Sequence, residues 1–447
     1  MDLSRPIHDL AARILLELIP LAADSLESNY PLLDYLGLAY KELGWSLALY
    51  PVHDDGPPRA NLVVSKSAAP AVLFVAHTDT VPAGEQSLWG RNRGKPRAPV
   101  VENGHIWGLG ASDNLGSIAL LLAMERQGMF PDDTAIAFTA DEETGGLGAK
   151  QLVEAGGVPS TVELVVVCEP TNNLVVLGEK GYIPFDLIAS DVIETGHVGC
   201  FHDDSIHTIL VRGQESHSAR PREGSNALFD LAWLEEVQEI DGDIVLSVAC
   251  AGVRNKVPAH VQIRHGREGD LVAGGTHDRI KLDKLLDFLR YLDETSEELR
   301  SVVDSRFLPP EVTLNVGALK RFENKLVFAC DLRVIPGFDH ESFLADLLEQ
   351  ARRILGTAEI RYPYPSLPPV WQELEPEFFD KMGEKLDSYG KSAYTEAAVF
   401  AINGFTAVIA GPGNLHVHRH DESISIAAFK DGAELYMDLA RYGISLV

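Results

Sequence analysis

Basic residues are scarce in this 447-residue chain. Lys and Arg number 38 against 66 Asp and Glu, which leaves a net charge of −28. Nucleic acids and anionic lipid surfaces are held by basic patches, so this balance argues against both as partners. Cysteine is scarcer still. Cys168, Cys200, Cys250 and Cys330 stand far apart, with no C-x-x-C pair among them. That speaks against a disulfide framework and for a reduced, cytoplasmic protein. No apolar run is long enough to span a bilayer. The stretch "LAARILLELIPLAADSL" sets Arg13, Glu17 and Asp24 among its leucines and meets Pro20. It reads as a broken amphipathic helix rather than a secretory signal. Internal repeats and low-complexity tracts are lacking too.

What the chain does have is alternation. "NLVV", "AVLFVAH", "TAIAFTADEE" and "VELVVVCEP" read as apolar strands, and "LGSIALLLAMERQG" between them reads as a helix ending near Gly128. Strands alternating with helices predict an α/β fold with a mostly parallel sheet and helices on both faces. Ligands of such sheets bind beyond the carboxyl ends of the strands. The middle of the chain differs. "GYIPFDLIAS", "SIHTILVRG", "DIVLSVACAGV", "AHVQIRH", "VTLNVGAL" and "KLVFACDLRVI" are separate strand candidates, with helical stretches at 226–239 and 282–299. This pattern predicts a smaller α+β domain, a sheet with two helices, inserted at 181–364 into a catalytic domain made of 1–180 and 365–447. The proline-rich "RYPYPSLPPVW" is the return linker.

Five signals fall at strand or helix ends. "VLFVAHTDTVP" delivers His77 and Asp79, "GLGASDNLG" Asp113, "TADEETGG" Glu142 and Glu143, "VVVCEPT" Glu169, and "GPGNLHVHRHDE" His418. Each has a plain structural alternative: a hydrogen-bonded histidine, a helix cap at Asp113, a solvated turn at Glu142 and Glu143, a turn before Pro170. Taken together, carboxylates gathered on one rim of a parallel sheet repel unless something positive sits among them. Two imidazoles and three carboxylates suit divalent zinc or cobalt. Glu142 beside Glu143, and Asp79 beside His77, remain as a base for water and an anion to orient the imidazole.

The motifs "HTDTVP", "GLGASDNLG", "TADEETGG", "CEPT", "KGY", "HSARPREGSNAL", "CDLRVIPG" and "GPGNLHVHRHDE" resemble, in order and over nearly the whole chain, the co-catalytic zinc metallopeptidase and deacylase family. That family includes acetylornithine deacetylase, succinyl-diaminopimelate desuccinylase, aminoacylase and several dipeptidases. "YTEAAVFA" followed by "GPG" is most similar to the acetylornithine deacetylase branch. The resemblance implies two divalent metal ions, zinc or cobalt. His77 and Glu169 would bind the first and His418 the second, Asp113 would bridge them, and Glu143 would bind a metal beside Glu142. Glu142 would be the general base, and Asp79 would hold the His77 ring. The inserted domain would form a homodimer, and His217 would reach the partner's active site to stabilise the oxyanion. Asn226 and Arg333 would anchor the substrate carboxylate, with Gly411 and Gly413 lining the pocket.

Several readings stay open at this level. "HVHRH" offers His416, His418 and His420, and the spacing to Asp421 and Glu422 favours His418. Glu396 is either a partner for a cationic substrate side chain or a charge on a helix surface. "ETGHVGCFHDDSIH", with His197, His202 and Asp203, reads as a surface or interface loop rather than another metal site. "HSARP" lacks the glycine elbow of a serine nucleophile, and "GLGASDNLG" lacks the lysine of a phosphate loop. The expected substrate is a small N-acyl amino acid, in the manner of acetylornithine. A dipeptide, succinyl-diaminopimelate or another acyl amino acid is the alternative. A non-catalytic binding protein is the reading from outside enzymology.

Overall fold

A computed structural model describes residues 5–446 except 235, 236, 238, 239, 241, 415 and 416. The chain divides into two compact units, residues 1–179 with 370–447 and residues 180–369.

The first unit is built on a seven-stranded sheet. Its strands are β1 (Ser46–Val52), β2 (Arg59–Ser65), β3 (Val72–His77), β4 (Thr134–Thr139), β5 (Leu164–Val167), β6 (Val175–Val176) and β7 (Ala407–Ala410), in the spatial order β6-β7-β5-β3-β4-β2-β1. The four central strands β7, β5, β3 and β4 are parallel. The outer pairings of β6 with β7, β4 with β2 and β2 with β1 are antiparallel. The sheet is therefore parallel at its centre and antiparallel towards its edges. β3 and β4 are buried at every position, which is why they read as unbroken apolar runs rather than alternating ones.

Helices cover both faces. Phe74, Ile136, Leu62 and Val166 share a core with α1 (Ile7–Leu18), α2 (Tyr30–Glu42), α3 (Leu115–Arg126) and α6 (Ala428–Ile444). α4 (Leu147–Glu154) and α5 (Ala397–Ile402) pack on the opposite face. α3 is apolar all round because it is buried from Leu115 to Glu125. The chain leaves it at Gly128, whose φ of +64° lies in the left-handed region that glycine adopts without strain.

Parallel register sets the height of the functional residues. Val75 pairs with Val167, so His77 and Glu169, two residues further along each strand, emerge at the same level. His77 itself pairs with Thr139 at the end of β4, just before Glu142 and Glu143.

The second unit holds an antiparallel four-stranded sheet in the order Thr313–Phe322, Lys325–Val334, Gly181–Ala189, Ala358–Arg361. The helices Leu282–Leu299 and His340–Leu355 pack on its strands. It also holds a three-stranded sheet of His207–Arg212, His260–Gly266 and Ile244–Ala249. The stretch expected as a loop is instead a strand, Ile193–Cys200, paired antiparallel with Val272–Ile280. Its partner lies some seventy residues away in sequence, so the pairing carries no local signature. The helix expected over 226–239 is described over Ala227–Trp233, and 235, 236, 238 and 239 lie outside the described residues.

Candidate metal centre

Four loops at the carboxyl edge of the parallel strands bring the acidic and imidazole residues together. His77 ends β3 with its side chain buried. Its Nδ1 lies 3.0 Å from the backbone carbonyl of Asp79, which fixes the proton on that nitrogen and leaves Nε2 as the donor facing the cluster. Nε2 is 2.9 Å from Asp113 Oδ1 and 3.5 Å from Glu169 Oε1. On the other side, His418 Nε2 is 3.2 Å from Asp113 Oδ2 and 3.0 Å from Glu143 Oε2. Asp113 thus stands between two sets, His77 with Glu169 and His418 with Glu143, one carboxylate oxygen towards each.

The Asp79 carboxylate does more at the turn than at the ring. Its Oδ1 is 3.7 Å from His77 Nδ1 and accepts from the Glu142 backbone N–H at 3.2 Å, while Oδ2 accepts from the Glu143 backbone N–H at 3.2 Å and the Ser25 hydroxyl at 2.7 Å. So the ring is held by the carbonyl of Asp79, and the turn that carries the two glutamates is held by its side chain. That turn begins at Asp141, which has φ +68° and leads into the short 3₁₀ helix Glu142–Thr144. Arg59, also buried, donates to Asp141 and to the carbonyl of Ser25.

Four supporting residues were given no structural role by the sequence. Glu422 accepts from the backbone N–H groups of Gly110, Ser112 and Asp113 at 3.1, 2.8 and 2.9 Å, and so pins the loop that presents Asp113. Lys391 donates from Nζ to Glu169 Oε2 at 2.9 Å. Ser25 and Arg59 brace the Asp79 side as described. Asp421 and Glu422 had served only to select among the histidines of "HVHRH". Nothing local in "SYGKSAY" marks Lys391 as facing a carboxylate from β5's end.

The remaining candidates divide. Gly411 is needed for close approach, since a Cβ there would lie 2.7 Å from the Glu169 carbonyl and 2.8 Å from the Tyr436 hydroxyl. Gly413 has φ +105°, and a Cβ would lie 2.5 Å from Ser112 Oγ. Both glycines let the 411–413 loop lie against the loops that carry Glu169 and Asp113. Glu396 is not on a helix surface: it is 1 % exposed, and it accepts from the Thr139 hydroxyl at 2.7 Å. Its Oε1 is buried with no hydrogen-bond partner among the described residues. His420 packs edge-on against Trp89, 6.0 Å between ring centres, and His416 lies outside the described residues.

His217, Asn226 and Arg333 belong to the second unit. His217 is exposed on the short strand Ser216–His217, and its Nδ1 accepts from the Ala219 N–H at 3.1 Å. Asn226 caps the helix Ala227–Trp233 by accepting from Leu228 N–H, and its amide donates to Asn315 Oδ1 and the Val316 carbonyl. Arg333 is buried, paired with Asp331 through two hydrogen bonds, and lies over the Tyr182 ring at 4.2 Å. Asn226 and Arg333 therefore already have structural work inside their own unit. His197 and His277 stack across their two strands with 5.5 Å between rings.

The cluster's electrostatics ask for cations. Burial opposes charge on His77 and on His418, yet the surrounding carboxylates outweigh it and hold both imidazoles well above the ordinary histidine range. Burial, then the charge of Glu169, push Glu142 well above the usual carboxylate range. Burial also opposes charge on Lys391, and the Glu169 carboxylate more than offsets it. Glu143 Oε1 and Glu169 Oε1 are buried without hydrogen-bond partners among the described residues. His77, Asp113 and Glu143 each bring a donor atom within 4.8 Å of the others. Paired imidazoles, a shared carboxylate and orphaned carboxylate oxygens form a donor set that fits divalent metal.

A sequence model of peptidase family M20/M25/M40 matches residues 73–442. The chain belongs to this family. Its members are hydrolases of amide bonds, and this M20 chain is one of them. It is similar to acetylornithine deacetylase of Myxococcus xanthus, 28 % identical over 76 % of this chain and 71 % of that protein. It is also similar to succinyl-diaminopimelate desuccinylase of Maricaulis maris, 31 % identical over 44 % of this chain and 47 % of that protein, about half the length of each. Its fold is shared with the crystal structure of aminoacylhistidine dipeptidase from Vibrio alginolyticus, with a TM-score of 0.63 at 16 % identity over 99 % of both chains. No helix among the described residues is long and apolar enough to cross a membrane.

Proposed function

We propose that this M20 chain is a two-metal hydrolase that removes the acyl group from a small N-acyl amino acid, in the manner of acetylornithine deacetylase. The observation that carries the reading is the position of Asp113, with one oxygen towards His77 and the other towards His418. A carboxylate flanked in that way suits a bridge between two cations. His77 and Glu169 would hold one, and Glu143 and His418 the other. Zinc is the metal this donor set fits best, with cobalt also suitable. Two such ions bound together lower the pKa of water towards neutrality and polarise an amide carbonyl.

The protein's own residues do the rest. Burial and the charge of Glu169 hold the Glu142 carboxyl well above the usual carboxylate range, and in this reading it takes a proton from water and returns it to the leaving amine. Asp79 holds the Glu142 backbone in place. The Tyr394 hydroxyl donates to the Glu142 carbonyl at 3.0 Å and fixes the same turn from the other side. His217, exposed in the second unit, would donate to the oxyanion developing in the partner subunit's active site, an interaction of about 3 kcal/mol for one such donor. Arg333 and Asn226 remain candidates for the substrate carboxylate only if they exchange their present partners. Glu396 keeps its place as a partner for a cationic side chain, because Oε1 lacks one. A homodimer through the inserted unit and a cytoplasmic setting belong to the same reading. The unpaired cysteines suit such a setting.

Similarity to the Maricaulis maris desuccinylase supports succinyl-diaminopimelate as the second substrate choice. Turnover of the metal-loaded protein on N-acetylornithine, succinyl-diaminopimelate and short dipeptides decides between them. N-acetylornithine is expected to be cleaved fastest. Cleavage of a dipeptide with N-acetylornithine inert would overturn the choice of substrate and leave the metal centre standing.

A further inference from the structure

Glu169 is the cluster's one carboxylate with a buried ammonium on it. Its Oε2 accepts from Lys391 Nζ at 2.9 Å, while Oε1 faces His77 Nε2 at 3.5 Å and has no hydrogen-bond partner among the described residues. The Lys391 side chain is 15 % exposed and the Glu169 side chain 6 %. The lysine backbone is itself tied down, since its N–H donates to the Gly178 carbonyl at 2.9 Å. The two oxygens of Glu169 are thus given different tasks. One is occupied by a charge-assisted hydrogen bond, and the other is left bare and aimed at the imidazole. Among the described residues the second donor set has nothing comparable, for Glu143 Oε2 meets His418 and its Oε1 has no hydrogen-bond partner.

We infer that Lys391 is a positioning residue for the His77 half of the metal centre: by holding Oε2 of Glu169, it orients Oε1 as that half's carboxylate ligand. The inference rests on the two-metal reading above. A buried carboxylate next to Asp113 and Glu142 is otherwise free to rotate or to pick up a proton, and either would remove it as a ligand. Outer partners of metal-binding carboxylates and histidines typically change metal affinity by about 10–100-fold. Because Lys391 touches Glu169 and not Glu143, the loss should fall on one site of the two.

The test is stepwise zinc titration of metal-free protein by calorimetry, comparing wild type with Lys391→Met, Lys391→Gln and Lys391→Arg. Wild type should take up two equivalents, and failure to do so would sink the two-metal reading itself. Lys391→Met, similar in length and without a donor, should weaken one binding step by about 10–100-fold and leave the other unchanged. Lys391→Arg should restore the weakened step. Equal weakening of both steps in the Met variant, or no weakening of either, overturns the role of Lys391 while leaving two metals in place. Should the Met variant fail to fold, Lys391→Gln carries the same test. Its neutral amide keeps a donor, so a smaller loss confined to one step is expected, and a loss spread over both steps counts against the inference.

Discussion

Replacing Glu422 by Gln should loosen both halves of the metal centre at once. Three backbone N–H groups, of Gly110, Ser112 and Asp113, converge on its two carboxylate oxygens at 3.1, 2.8 and 2.9 Å. An amide offers one oxygen in place of two. If it serves Ser112 and Asp113, its NH₂ group faces the N–H of Gly110, donor against donor. An unsatisfied buried N–H costs about 1–3 kcal/mol, and the two bonds that remain lose their charge assistance, roughly another 1 kcal/mol each. The sum, about 3–5 kcal/mol, falls on the loop that presents Asp113. A domain with a total stability of about 5–15 kcal/mol survives such a loss, but its Asp113 loop does not stay fixed. Asp113 faces both imidazoles, so even 3 kcal/mol, shared between the two binding steps, is about 10-fold in each. Calorimetric zinc titration of the metal-free Glu422→Gln protein reads both steps, and circular dichroism checks the fold. Two steps at wild-type affinity would refute the reasoning, because they would show that the Asp113 loop needs no anchor. This pattern differs from that of Lys391→Met, where a single step moves.

Three other outcomes follow from the same geometry. Glu142→Gln should keep both metals by mass spectrometry and lose about 10²–10⁴-fold in kcat, since it removes the base and no ligand; unchanged turnover would end its role. His418→Ala should fall from two equivalents of metal to one while His420→Ala retains two, because His420 packs on Trp89 and not on Asp113. Glu396→Gln should flatten the pH dependence of stability. Burial pushes the folded Glu396 carboxyl up to about 8, against 4.5 when unfolded. The folded chain therefore keeps a proton that the unfolded chain releases, so stability falls as pH rises from 4.5 to 8. The full penalty is roughly 5 kcal/mol at about 1.4 kcal/mol per pKa unit. Glutamine mimics the protonated acid, so Tm should rise relative to wild type at pH 8.5 and change little at pH 5. Glu179, raised to about 8 by the same burial, keeps part of the slope in the variant. A wild-type slope in Glu396→Gln would show that this carboxyl is ionised when folded.

Of the residues gathered around Asp113, His77, Glu142, Glu143 and Glu169 stood out in the sequence because they lie at or just beyond the end of an apolar run. Strands buried on both faces read as unbroken apolar segments, and a charged residue at the end of one has no reason to be there unless it faces something. The central parallel strands followed from the same runs. The antiparallel edges did not, since "SLALYPV" in β1 is mostly exposed and carries no strong period. Ile193–Cys200 was hidden for another reason. Gly196 and Gly199, both at positive φ, interrupt it, and it is completed by a partner far along the chain. Lys391, Arg59 and Ser25 act through side-chain contacts with residues 34 to 222 positions away, which no local pattern announces. Glu396 stayed open between a substrate partner and a surface charge, because a helix start usually faces water. Here it turns inward to Thr139.

The donors of the centre are strung from position 77 to position 418, with the whole of the second unit threaded between Glu169 and His418. A ribosome that has released the first four acidic and imidazole donors must still translate about two hundred and fifty codons before the second imidazole exists. Until then the nascent chain carries four of the five donors. On the two-metal reading, capture of the second ion would accordingly be a late event in the life of this polypeptide, because its imidazole comes last. A chaperone or chelator present during synthesis would act on a species that the finished enzyme never revisits.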